Sequence, residues 1–155
     1  MAIVTTRPSI VTDIYRLAAT LREADRAEVE SLGFTPKDAI RRSYRNAMLR
    51  TTYLVDGEIA AMSGLCGALL DDIGAPYLLT APIAATVPVS FVKCARTAVD
   101  RMLLHRSRLE GYVAARYTGA CRLIEALGFT LEKPLPLGPS AEPFRHYWMI
   151  RAHGN

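Results

Sequence analysis

The chain has 155 residues, half of them hydrophobic, and a formal net charge of +4, so it can bury one core without metal or disulfide support. That composition excludes wholesale disorder, and no apolar run reaches the roughly 18 residues that a membrane helix needs. The length predicts a single domain over residues 1–155, and the opening MAIVTTRPS lacks the basic and apolar regions of a secretory signal.

Ile3 to Thr6 is β-rich and predicts a first strand, stopped by Arg7-Pro8 because proline cannot donate to a ladder. A helix follows, capped by Ser9 or Thr12, with Ile14, Leu17, Ala18 and Leu21 on one apolar face. Asp25 and Glu28 have the spacing of a capping box for a second short helix, which Gly33 closes. Thr35-Pro36 starts a third, with Thr as cap and Pro in the first turn; Ile40, Tyr44, Ala47 and Met48 form its buried side. Lys37, Arg41 and Arg45 line up at i, i+4 and i+8 as a basic stripe. A stripe this small on a modestly charged chain is a solvated face or a surface for an acidic protein, and argues against nucleic acid.

Arg50 to Val55 predicts a strand, Asp56-Gly57 a hairpin turn, and Glu58 to Ala68 the returning arm. Ser63-Gly64-Leu65-Cys66-Gly67 within that arm predicts a bulged strand. A turn at Asp71 to Gly74 leads to a fourth strand over Pro76 to Ala81. Val87 to Arg106 is the longest helix, with Phe91, Cys94, Ala95, Ala98, Val99, Met102 and Leu103 repeating at three and four. Leu109 to Ala115 is a short apolar strand feeding a helix from Thr118, on which Ala120, Leu123, Ile124 and Leu127 share one face. Gly128 closes that helix. Pro134 to Pro143 holds four prolines and predicts a stiff irregular loop before a final strand over Phe144 to Arg151. Alternating strands and helices argue for an α/β fold, an α+β mixed sheet with helices on both faces.

The strand, turn and short helix ending in Leu127-Gly128-Phe129 resemble the C-terminal motif of the GNAT (GCN5-related N-acetyltransferase) fold. More narrowly, the chain resembles a family of tailed-phage proteins with that fold, the internal virion protein A or phage acetyltransferase-like proteins. The residues carrying this are LREADRAEVESLG at Leu21 to Gly33, VDGEIAAMSG at Val55 to Gly64, APYLLT at Ala75 to Thr80, and PFRHYWMI at Pro143 to Ile150. The resemblance implies a phage protein of the host cytoplasm, associated with the virion or not. Its partners would be virion or host proteins, it would have no membrane attachment, and a homo-oligomer is compatible with it.

For enzymes of the fold, the resemblance implies acetyl-CoA in a gap between the fourth and fifth strands, its pyrophosphate held by amides at the start of the long helix. Here that place holds Ala84-Ala85-Thr86-Val87-Pro88-Val89-Ser90, with no glycine and no basic residue. If acetyl-CoA binds, Thr86, Val89, Ser90 and Phe91 are the residues to hold it. The tyrosine acid that many such enzymes place about five residues before the Gly-Phe pair is here Ile124, which transfers no proton. Tyr117 and Glu58 remain as candidate catalytic residues, and Glu23, Asp25 or Glu28 as other carboxylates within reach of a base role. The expected function is therefore a catalytically degenerate, cofactor-free domain acting in virion assembly or protein–protein interaction. The alternative is an acetyl-CoA-dependent N-acetyltransferase acting on a host or virion amine. His105, His146 and His153 have no ligand spacing to a Cys or carboxylate, so no metal is expected, and His146 is expected to be a half-buried structural residue. Cys66, Cys94 and Cys121 are odd in number and apolar in setting, as buried thiols in a reducing compartment are.

Overall fold

The computed structural model describes residues 2–67 and 71–152. The expected end of the hairpin arm at Ala68, and His153, lie outside the described residues. The chain runs β1 (Val4–Pro8), α1 (Val11–Thr20), α2 (Glu23–Ser31), α3 (Pro36–Asn46), β2 (Ala47–Val55), β3 (Glu58–Cys66) and β4 (Ile73–Thr80). A 3₁₀ turn (Pro82–Thr86) then leads to α4 (Pro88–His105), β5 (Arg108–Ala114), α5 (Thr118–Ala126), β6 (Thr130–Leu131), β7 (Leu135–Leu137) and β8 (Glu142–Ile150). The strands form one eight-stranded sheet in the order β1-β2-β3-β4-β5-β8-β6, with β7 added to β8. Every pairing is antiparallel except β4 with β5, the two strands that α4 connects.

Local chemistry fixes several boundaries. Thr35 caps α3 by accepting from the Asp38 amide at 3.2 Å, with Pro36 in the first turn. Asp56 and Gly57 turn β2 into β3 with φ of +49° and +83°, the doubly left-handed turn that suits a two-residue hairpin. Gly33 and Gly128, at φ +87° and +98°, end α2 and α5 as expected.

Other boundaries follow from partners distant in sequence. β1 continues through Arg7 and Pro8, because it is an edge strand paired only with β2 and a missing N–H costs nothing there. Neither Ser9 nor Thr12 caps α1. Ile10 stands at the cap position, and the Asp13 carboxylate accepts from its amide at 2.9 Å. The Asp25–Glu28 capping box is not formed either: Arg22 precedes α2, and Asp25 turns inward to the end of β4. Ala47 and Met48 belong to β2 rather than to α3, and Met48 is exposed. The irregularity expected within Ser63 to Gly67 lies opposite, at Met48 of β2 between Ala47 and Leu49, and a second one falls in β3 at Ala60, between the partners of Tyr53 and Leu54. Part of the proline-rich loop is regular, since Leu135–Leu137 pairs with β8.

Helices cover both faces. Ile14, Leu17, Leu21, Val29 and Ile40 from α1 to α3 pack with Ile59 and Met62 of β3. On the other face Phe91, Ala95 and Ala98 of α4 meet Tyr53, Val55 and Ala61, and Val99 and Met102 meet Leu65, Leu109 and Phe129. Each fully buried side chain of the Leu17 or Ile40 kind contributes roughly 1.5–3 kcal/mol. Of the cysteines only Cys121 is buried; Cys66 and Cys94 are partly so. No helix among the described residues is long and apolar enough to cross a membrane.

Candidate functional site

β4 and β5 pair at only two positions, Ile73 with Arg108 and Gly74 with Leu109. Beyond them the strands part, β4 remaining on β3 as far as Thr80 and β5 on β8 as far as Ala114. Pro76, two residues past the last shared pair, has no N–H to offer a ladder. The wedge so opened is a cavity of about 360 Å³. Its wall includes residues from both helical layers, Glu28 and Val29 of α2 on one side and Ala98, Val99 and Met102 of α4 on the other, so it passes through the sheet. The expected gap between the fourth and fifth strands is thus present.

The α4 and α5 end of the passage is hydrocarbon. Ala120, Leu123, Ile124 and Leu127, the stripe that reads as a core face in the sequence, line it and are only half-buried, whereas Cys121 is the buried residue of α5. Two hydroxyls from adjacent strands add a polar spot, Tyr53 Oη lying 2.9 Å from Ser63 Oγ. Burial pushes the Tyr53 phenol up to about 12.

The α2 end carries charge. Asp25, 6 % exposed, accepts from both the amide and the hydroxyl of Thr80, at 3.0 and 2.8 Å, and pairs with Arg22 at 3.2 Å. The Arg22 amide donates to the Thr80 carbonyl at 2.8 Å. These bonds clamp the start of α2 to the end of β4 and so hold Glu28, one turn further on, in the cavity wall. The Glu28 carboxylate has no hydrogen bond or ion pair among the described residues. Burial, and then the nearby Asp25 charge, raise it above the usual carboxylate range. Tyr147 of β8 lines the same wall; burial, then the Glu28 charge, push its phenol up to about 12.

The structure places the sequence candidates apart. Tyr117 stands at the N-cap of α5, outside the cavity wall, its hydroxyl accepting from Arg116 at 3.1 Å. Glu58 opens β3 beside the hairpin turn, exposed, and is likewise outside the wall. Glu23 is exposed on the first turn of α2, and Asp25 is engaged with Thr80. Glu28 is the carboxylate that faces the passage with no partner. Sequence reasoning left it among four, since nothing local distinguishes it. Tyr53 and Tyr147 gave no signal of their own, and Ser63 stood out in the sequence only as part of an expected bulge.

At the start of α4, some donors are spent within the chain, and among the described residues only the Val89 and Ser90 amides of the first turn bond to no other backbone group. The Ala84 amide donates to Ala81 O at 3.1 Å, Val87 to Ala84 O at 3.4 Å, and Phe91 to Val87 O at 2.9 Å, while Pro88 has none. The Thr86 hydroxyl donates to Ile83 O at 2.6 Å. Val89 is 82 % exposed and Ser90 is exposed, whereas Phe91 is buried with its ring 5.3 Å from that of Tyr53. With no glycine turn and no Arg or Lys from Ala84 to Ser90, these residues do not build the diphosphate nest that coenzyme A would need. His146, half-buried, stacks on Tyr112 at 5.0 Å with Nε2 3.4 Å from Glu110. No group of three or more His, Cys, Asp or Glu that could hold a metal ion occurs among the described residues.

Comparison with known proteins agrees with this architecture. No family model matches the sequence, and no curated relative does. Solved structures do match over nearly the full length. A chimera of spermidine N-acetyltransferase from Vibrio cholerae and hSSAT is 15 % identical, with 95 % of each chain covered and a TM-score of 0.69. A GNAT-family acetyltransferase from Bacillus anthracis is 10 % identical, covering 97 % of this chain and 98 % of that one at TM-score 0.69. Mycobacterium smegmatis RimJ in complex with CoA-disulfide is 14 % identical, covering 95 % and 81 % at TM-score 0.69. The fold of this chain is that of the GNAT acetyltransferases.

Proposed function

We propose that this chain is a GNAT-fold protein without acetyl-transfer activity, which works by binding another protein. The observation that carries the reading is the start of α4, where Ala84 to Ser90 hold no glycine and no basic residue, Pro88 has no amide to offer, and only the Val89 and Ser90 amides are left for an anion. Two amides without a glycine turn or a cation beside them fall short of the nest that holds a diphosphate. The resemblance to tailed-phage internal virion proteins supports a role in virion assembly in the host cytoplasm, with virion or host proteins as partners. The competing reading, acetyl-CoA-dependent transfer to a host or virion amine, draws on the open gap between β4 and β5 and on the unpaired Glu28 carboxylate within it.

Thermal melting with acetyl-CoA separates the two. A ligand at about 100 times its Kd adds about 2.7 kcal/mol, which moves the midpoint by several degrees in a domain of this size. The expected result is no shift at millimolar acetyl-CoA. A clear shift, accompanied by coenzyme A release when amines are added, would establish the enzyme instead.

A further inference from the structure

A second concavity lies between α1 and α3, sharing no lining residue with the passage through the sheet. Its walls bring together Tyr15 and Ala18 of α1, Arg26 of α2, and Lys37, Asp38 and Arg41 of α3. Tyr15 is half exposed, with Lys37 Nζ 5.7 Å and the Arg41 guanidinium 6.0 Å from its ring, and Arg41 donates to its hydroxyl at 3.2 Å. The lining thus holds three cations and one carboxylate, Asp38, which reaches Arg41 at 3.6 Å but stays more than half exposed. A flat aromatic floor rimmed by cations is a surface for anionic groups carried on a chain with some apolar content.

We propose that this groove docks an acidic peptide segment of a partner protein. Lys37, Arg41 and Arg45 follow one another at four-residue steps along α3, which spaces them by about 6 Å. Alternate residues of an extended peptide are about 6.6 Å apart. Carboxylates on every second residue therefore meet Lys37 and Arg41 over the Tyr15 ring and then Arg45, which continues the row on α3 outside the groove lining, while the intervening side chains point the other way. Nucleic acid fits less well, because Asp38 places a negative charge between Lys37 and Arg41 and the chain as a whole carries a net charge of only +4. The inference deepens the reading of the chain as a protein-binding domain, resting on it only in taking the partner to be a protein.

The test is fluorescence anisotropy with a labelled peptide of about eight residues alternating glutamate and alanine, at about 50 and about 300 mM salt. Binding should weaken with salt and fall about tenfold in Lys37→Gln/Arg41→Gln, a change that leaves the helix cap and the core alone. Arg122→Gln, exposed on α5, should bind as the parent does, and a peptide of the same composition with its glutamates in one block should bind more weakly. No binding at low salt, or equal loss in Arg122→Gln, overturns the proposal. So does tighter binding of a single-stranded oligonucleotide that the double variant also loses. An acetyl-CoA melting shift in protein that still binds the peptide would remove the non-catalytic reading and leave the groove standing.

Discussion

Asp13 is fully buried at the first turn of α1, where its carboxylate accepts two bonds from Arg7, at 2.7 and 2.8 Å, one from the Ile10 amide and one from the Thr52 hydroxyl at 2.8 Å. Burial is the largest single influence on it and pushes it up, but Arg7, Ile10 and Thr52 together outweigh burial and hold it below the usual carboxylate range. A depressed carboxylate contributes stability that is complete above its unfolded value of about 3.9 and is lost as pH falls through the folded value. Asp13→Ala should therefore cost about 3 kcal/mol at neutral pH by urea unfolding, a difference that shrinks in acid. Glu28 has the opposite sign. Its raised value favours the protonated form on folding, so its contribution is complete below the unfolded value and lost as pH rises through the folded one. Glu28→Gln should melt higher than the parent at pH near 7 and equal to it at pH near 4; a lower melting point at neutral pH would show that the carboxylate is paired.

At the scale of elements, Gly64 marks a close crossing of β3 and β4. A Cβ on Gly64 would collide with the ring of Tyr77 and with the Leu49 carbonyl oxygen, so only glycine lets the phenol lie across the strand. Gly64→Ala should destabilise by about 2 kcal/mol, measured by chemical unfolding. The sequence marks Gly64 as special but assigns it to a bulge, because the residue opposite on a neighbouring strand is not visible in a linear pattern. The start of α3 was legible for the converse reason: Thr35, Pro36 and Asp38 settle it among themselves within one turn. α1 lies between these cases. Its apolar face is local, and its cap is an acid three residues inside the helix that owes its position to Arg7 and Thr52 on two strands.

At the scale of the whole molecule, the decisive feature is the parting of β4 from β5. The α5 stripe then faces an open passage rather than packed side chains, which is why its leucines stay half-buried. Enlarging a side chain on that wall should be tolerated, whereas the same change in packed core should not. Ala120→Leu is expected to leave the melting temperature within a few degrees of the parent, while Ala60→Leu, at a fully buried position, should cost about 2 kcal/mol or more. Equal losses at both sites would mean that the passage is closed in solution.

The sequence by itself determined the order of the strands and helices apart from the short β6 and β7, together with the Asp56-Gly57 hairpin, the Thr35 cap and the glycine ends of α2 and α5, because each depends on residues within a few positions of one another. It also showed the poverty of the loop before α4, since the absence of glycine and the presence of Pro88 are facts of composition. Only the tertiary structure decided which carboxylate faces the passage, which tyrosines surround it, and that Tyr15 lies between Lys37 and Arg41. Those arrangements join side chains from separate elements, and their burial and charge exist only once the sheet has brought the elements together.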